Sequence, residues 1–97
     1  MNTITNITHH AYDRMESRHV DPDVAILAAE LGRKCAYMKY VLNFSDIPKK
    51  TLESYEPRFR KKLEKQLPVV ACVDTKTNTL VTTYRVGNWR INWKKRK

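Results

Sequence analysis

His10, Arg14 and Arg18 stand four residues apart in the stretch Ile7 to Val20, so a helix there stacks one imidazole and two guanidiniums on one face. Like charges at that spacing repel by about a few tenths of a kcal/mol per pair. A face built against that repulsion suits an anion, and RNA phosphate is the anion it fits. Cleaving RNA without a metal needs a base near the 2′-OH, cationic donors for the charge developing on phosphorus, and an acid for the leaving 5′-oxygen. Histidine changes charge near neutral pH and can be the base or the acid. Arginine forks grip phosphate oxygens in pairs. Thr82 and Tyr84 share one face of an expected strand and would bring a hydroxyl and a phenol to the same site. Arg85 points to the other strand face. Three histidines without a cysteine pair or acidic cluster at ligand spacing give no metal-site pattern, and no cofactor is expected.

Each residue also has a plainer reading. His10 could be a structural histidine bonded to the sheet, and Arg18 could pair with Asp13 or Asp21. Arg14 could lay its stem over apolar surface, and Tyr84 could fill the core with its hydroxyl bonded. Trp89 and Trp93 either stack bases beside cations or pack inside.

The 97 residues, 41% of them hydrophobic, suit one domain spanning residues 1–97. No apolar run approaches the ~20 residues that cross a membrane. The first residues carry neither a basic nor an apolar leader region, so a cytoplasmic location is expected. Cys35 and Cys72 fall in strand-like stretches and read as small buried hydrophobes, both reduced. The net charge of +9 is unevenly placed: residues 1–48 hold five Lys/Arg and six Asp/Glu, against fourteen and four in residues 49–97. The second half therefore points to a polyanion, held by counterion release without sequence preference. Its expected contacts are Lys61, Lys62, Lys65, Arg85, Arg90, Lys94, Lys95 and Arg96. RNA is the first choice and DNA the second, although a solvated basic face or an acidic protein partner meets the same electrostatics.

Thr8 is an expected N-cap for a helix running to about Arg18, with Ala11, Met15 and either Ile7 or Tyr12 turned inward. Asp21-Pro22-Asp23 starts a second helix ending near Leu31, with Gly32 as a left-handed stop. Cys35 to Phe44 reads as one strand, rich in aromatic and branched residues. A helical insertion follows, restarted at Pro57, with Leu52, Tyr55, Phe59 and Leu63 as a thin apolar stripe. Val69 to Val73 and Leu80 to Val86 form a hairpin across Asp74 to Asn78, and Gly87-Asn88 turns into a last strand, Trp89 to Trp93.

The pattern Thr8-x-His10-Ala11-x-x-Arg14-Met15-x-x-Arg18-x-Val20, with Gly32, Asp46-Ile47-Pro48, the Leu67 to Val73 strand and Val81-Thr-Thr-Tyr-Arg85, resembles a family of small bacterial and phage domains. That family is similar in turn to the barnase/RelE/colicin-type superfamily of metal-independent RNases, many of them toxins. The resemblance implies an α+β domain: two N-terminal helices packed on a curved antiparallel sheet of about four strands, with the helical insertion between the first and second strands. It also implies an active face made from helix one and the last strands. The expectation is a toxin-type endoribonuclease with His10, Arg14, Arg18, Thr82 and Tyr84 as its site, and an acidic antitoxin or immunity protein as partner. The alternatives are a non-catalytic nucleic-acid-binding or phage accessory protein, and a basic module that docks an acidic protein.

Overall fold

The computed structural model describes residues 3–86. The expected strand at Trp89 to Trp93 and the basic tail lie outside those residues. Helix α1, His9–Arg18, starts where the Thr8 hydroxyl accepts the Ala11 amide at 3.0 Å, which satisfies one of the donors orphaned at a helix start. It ends at His19, whose left-handed backbone (φ 55°) lets the Val20 amide reach the Met15 carbonyl at 2.9 Å. Helix α2, Pro22–Leu31, follows at once, with the Asp21 carboxylate accepting the Asp23 amide at 2.9 Å. Ala11, Met15, Val24, Ala25, Ala28 and Ala29 face inward and are buried. Ile7 joins the edge of this core, whereas Tyr12 stays half exposed.

Gly32 ends α2 for a reason other than the one its sequence suggests. Its backbone is extended (φ −65°, ψ 155°), not left-handed. A Cβ there would collide with the Ala28 carbonyl oxygen and sit 3.1 Å from the Val41 backbone, so glycine permits a close approach of chain to chain.

The stretch expected as one strand is a hairpin. Strand β2, Arg33–Ala36, turns through Tyr37 and Met38 into β3, Lys39–Leu42. Met38 takes the positive φ of 61° that a tight turn demands. A 3-10 turn at Phe44–Asp46 leads to α3, Lys49–Glu53, and α4, Pro57–Gln66, with Pro57 in the first turn as a restart requires. Leu63 is the fully buried anchor of this insertion, while Leu52, Tyr55 and Phe59 pack along its margin. The Tyr55 and Phe59 rings meet edge to face at 5.1 Å. Truncating a residue buried like Leu63 to alanine costs about 2–5 kcal/mol, enough to detach the insertion.

Strands β4, Val69–Asp74, and β5, Thr79–Arg85, form the expected antiparallel hairpin. A further strand, β1 at Asn6–Ile7, pairs parallel with β5, Asn6 opposite Thr79 and Ile7 opposite Leu80. The sheet is therefore five-stranded and mixed, ordered β1-β5-β4-β3-β2, where about four antiparallel strands were expected. The insertion lies in the expected stretch, between the strands at Lys39–Leu42 and Val69–Asp74, which become β3 and β4 because β1 and β2 precede them. Two residues of β1 are too few to leave a periodicity in the sequence.

One sheet face carries Leu42, Val69, Ala71, Val73 and Leu80 into a single core with α1, α2 and the insertion. Across the helical layer, the Gln66 side-chain oxygen accepts the Asp21 amide and the Lys62 ammonium meets the Asp21 carboxylate, each at 2.8 Å. Among the described residues no helix is long and apolar enough to cross a membrane.

Candidate functional site

Helix α1 is fastened to β5 at its first turn. The Thr8 amide donates to the Leu80 carbonyl at 3.0 Å, and the Thr8 hydroxyl donates to the Val81 carbonyl at 2.8 Å while accepting from Ala11. One threonine thus caps the helix and fixes its start to the residue that precedes Thr82. Two residues along, His10 is exposed, and Arg14 reaches back one turn to donate its Nε to His10 Nε2 at 3.3 Å. An imidazole nitrogen that accepts carries no proton, so this geometry belongs to the tautomer protonated at Nδ1. Arg18 is exposed in the last turn, pairing with neither Asp13 nor Asp21. Neither arginine of α1 is in an ion pair among the described residues.

Thr82 and Tyr84 share a strand face, opposite Cys72 and Val70 respectively. That face points away from the helices. Thr83, between them, pairs with the core residue Ala71, is fully buried, and donates its hydroxyl to the Val70 carbonyl at 2.8 Å. Alternation along β5 therefore turns Thr82 and Tyr84 to the opposite surface, where both are half-buried. The structure joins His10 to Arg14, leaves Arg18 further down the same helix, and sets Thr82 and Tyr84 across the sheet. The bond from Thr8 to Val81 connects the two groups.

The expected nucleic-acid contacts divide as well. Lys61 and Lys65 are exposed on α4. Lys62, with half of its side chain exposed, is engaged by Asp21, and Arg85 donates to the Lys65 carbonyl at 2.7 Å, satisfying a carbonyl in the last turn of α4. Arg90, Lys94, Lys95 and Arg96 lie outside the described residues. Partial burial pushes the Asp21 carboxyl upward, but the Lys62 ammonium and the amides of Asp23 and Val24 outweigh it and hold the pKa below its ordinary value. Lys62 is raised in turn by its bond to Asp21.

Both cysteines are free, but Cys35 is exposed on edge strand β2, at an irregularity between Lys34 and Ala36, and not buried as expected. Burial pushes the Cys72 thiol up, the nearby Lys39 ammonium pulls it down, and Cys35 adds to the rise. Among the described residues no group of three His, Cys, Asp or Glu side chains could hold a metal ion. Tyr37, expected inside the Cys35 to Phe44 strand, stands instead in the β2–β3 turn. This ring is 83% exposed and lines a cavity of about 230 Å³ beside Lys34 and Lys76. The cavity draws on two turns distant in sequence, which no local pattern reveals. No family model matches the chain, and neither does any curated protein or solved structure.

Proposed function

We propose that this protein is a metal-independent endoribonuclease of the toxin type, an RNase-toxin-like domain that acts on RNA through the exposed face of α1. The observation that carries this reading is the Thr8 junction: it fixes the start of α1 to β5, so that His10 and its partner Arg14 project from the most firmly placed end of the helix. An imidazole whose Nε2 is unprotonated can accept the proton of a ribose 2′-OH. Arg14, which holds that nitrogen in the free protein, turns its fork to an incoming phosphate and releases it. The 2′-oxygen then attacks phosphorus, the bond to the 5′-oxygen breaks, and the leaving oxygen takes a proton from water, while the His10 imidazolium gives the 2′-OH proton up to solvent. Arg14 and Arg18 neutralise the charge that builds on the phosphate oxygens. Thr82 and Tyr84, on the far face of β5, take no part in this step, and the cations of α4 supply attraction without sequence preference. An acidic antitoxin that covers α1 would silence such an activity.

A second reading, a nucleic-acid-binding protein without catalysis, is favoured by one observation: the sheet separates Thr82 and Tyr84 from His10. The discriminating experiment incubates end-labelled single-stranded RNA with wild type and His10→Ala in the presence of EDTA. Cleavage to 2′,3′-cyclic phosphate ends that survives EDTA and falls about 10²- to 10⁴-fold in the variant supports the nuclease. Intact RNA with retained binding supports the second reading.

A further inference from the structure

The end of the sheet that carries the β2–β3 and β4–β5 turns holds a second feature of chemical interest. Lys34, Tyr37, Tyr40, Val73, Asp74 and Lys76 line the cavity of about 230 Å³ there. Val73, fully buried, and Tyr40, packed on the core, form its rigid inner side. The β2–β3 turn is held against β4 by the Val73 amide, which donates to the Met38 carbonyl at 2.7 Å. The β4–β5 turn is held by the Asp74 carboxylate, which accepts the Lys76 amide at 3.0 Å. Both walls are therefore fixed by bonds of their own. Tyr37, in the turn of this hairpin, is 83% exposed.

A fixed recess with an exposed aromatic ring and two ammonium groups has one well-matched occupant. We infer that this cavity is a subsite for an unpaired nucleotide of a single strand, its base stacked on Tyr37 and its phosphates met by Lys34 and Lys76. Rings beside cations hold single strands in this way because every base offers a π-face and every link a negative charge. The carboxylate of Asp74 can in addition accept from an amino group on the base edge.

The position deepens the nuclease proposal, on which its link to cleavage rests. Thr5 donates its amide to the Asn78 carbonyl of the β4–β5 turn, and Thr8 binds Leu80 and Val81. The start of α1 and the cavity thus lie toward the same end of the sheet. Strands β5 and β3 are two strand spacings apart, about 10 Å within the sheet. An RNA strand seated in the cavity would present a following phosphate to His10.

The test measures binding of a labelled single-stranded hexaribonucleotide by anisotropy, in a His10→Ala background that keeps the probe intact. Tyr37→Ala is expected to weaken binding about tenfold, and Tyr37→Phe, which keeps the ring, by less than twofold. The exposure of Tyr37 keeps either change from disturbing the fold. Amide resonances of Met38, Thr75 and Lys76 should shift on titration, and a blunt duplex of the same length should bind less tightly, since its bases are already stacked. Equal affinity of Tyr37→Ala and its parent, or equal binding of duplex and single strand, overturns the subsite. Cleavage by the otherwise wild-type protein that is indifferent to Tyr37→Ala removes the subsite and leaves the nuclease standing. Binding that depends on Tyr37 without any cleavage by the wild type does the reverse.

Discussion

Helices α1 and α4 are both ten residues long and both carry cations one turn apart, yet they use them differently. In α1 a side-chain cap ties the first turn to the sheet, Arg14 turns to His10, and neither arginine meets an acid among the described residues. In α4 the N-cap residue Glu56 makes no side-chain cap bond, Lys62 is spent on Asp21, and the Lys65 carbonyl takes Arg85. The more basic helix thus gives part of its charge to holding the fold together. Helix α1, in the nearly neutral half of the chain, keeps both of its arginines out of ion pairs among the described residues, and a charge count over the sequence would rank the two helices the other way.

The largest effect that could break this contrast is on turnover. His10→Ala should lower RNA cleavage about 10²- to 10⁴-fold, whereas Lys61→Ala combined with Lys65→Ala should leave turnover at saturating RNA within about twofold. Equal losses in the two variants would erase the division between them. Next in size is the junction. Thr8→Ala should cost about 1 kcal/mol of unfolding free energy and should also slow cleavage, because His10 loses its fixed base. Thr8→Ser should restore both, and denaturant titration alongside single-turnover assays separates the two losses.

A smaller effect sharpens the account of α4. Each exposed lysine that meets a phosphate contributes about 0.7 to the salt slope of single-strand binding, so Lys61→Ala and Lys65→Ala should each flatten that slope by roughly this amount. Lys62→Ala should change it less, since its ammonium already faces Asp21. The smallest effect is on pH dependence. The Asp21 carboxyl titrates below its ordinary value of about 3.9 in the folded chain. Its contribution is therefore complete above about pH 4 and is lost as pH falls through the lower folded value. Asp21→Asn keeps the cap but not the charge, so melting temperatures measured from pH 5 to pH 2 should fall less steeply in the variant.

What the sequence revealed follows physical rules that act locally. Thr8, Asp21-Pro22 and Pro57 mark helix starts because capping oxygens and proline act within a turn of where they stand. The Val69–Asp74 and Thr79–Arg85 hairpin was legible from its apolar runs and the Asp74 to Asn78 turn. The β2–β3 turn was not, because Tyr37 and Met38 carry none of the usual turn chemistry and sheet pairing imposes the positive φ on Met38. Within the site, the placement of His10 and Arg14 on one helix face was visible from a spacing of four, whereas the hydrogen bond between them was not, since that spacing read as repulsion. The sequence also showed that Thr82 and Tyr84 share a face, but which face meets the helices depends on Thr83 being accepted inside by the Val70 carbonyl. That contact spans two strands. The role of Lys62 was hidden likewise, since Asp21 lies 41 residues away.

Strand β1 has a practical bearing on handling the protein. Its two residues, with Thr5 and Thr8 on either side, cover the outer margin from Asn78 in the β4–β5 turn to Val81 in β5. An N-terminal deletion through Ile7 would uncover that margin and offer a raw strand to neighbouring molecules, a known route to aggregation. Truncated forms prepared for study should therefore begin before Thr5, and a purification tag placed directly against Asn6 would compete with the pairing that closes this side of the sheet.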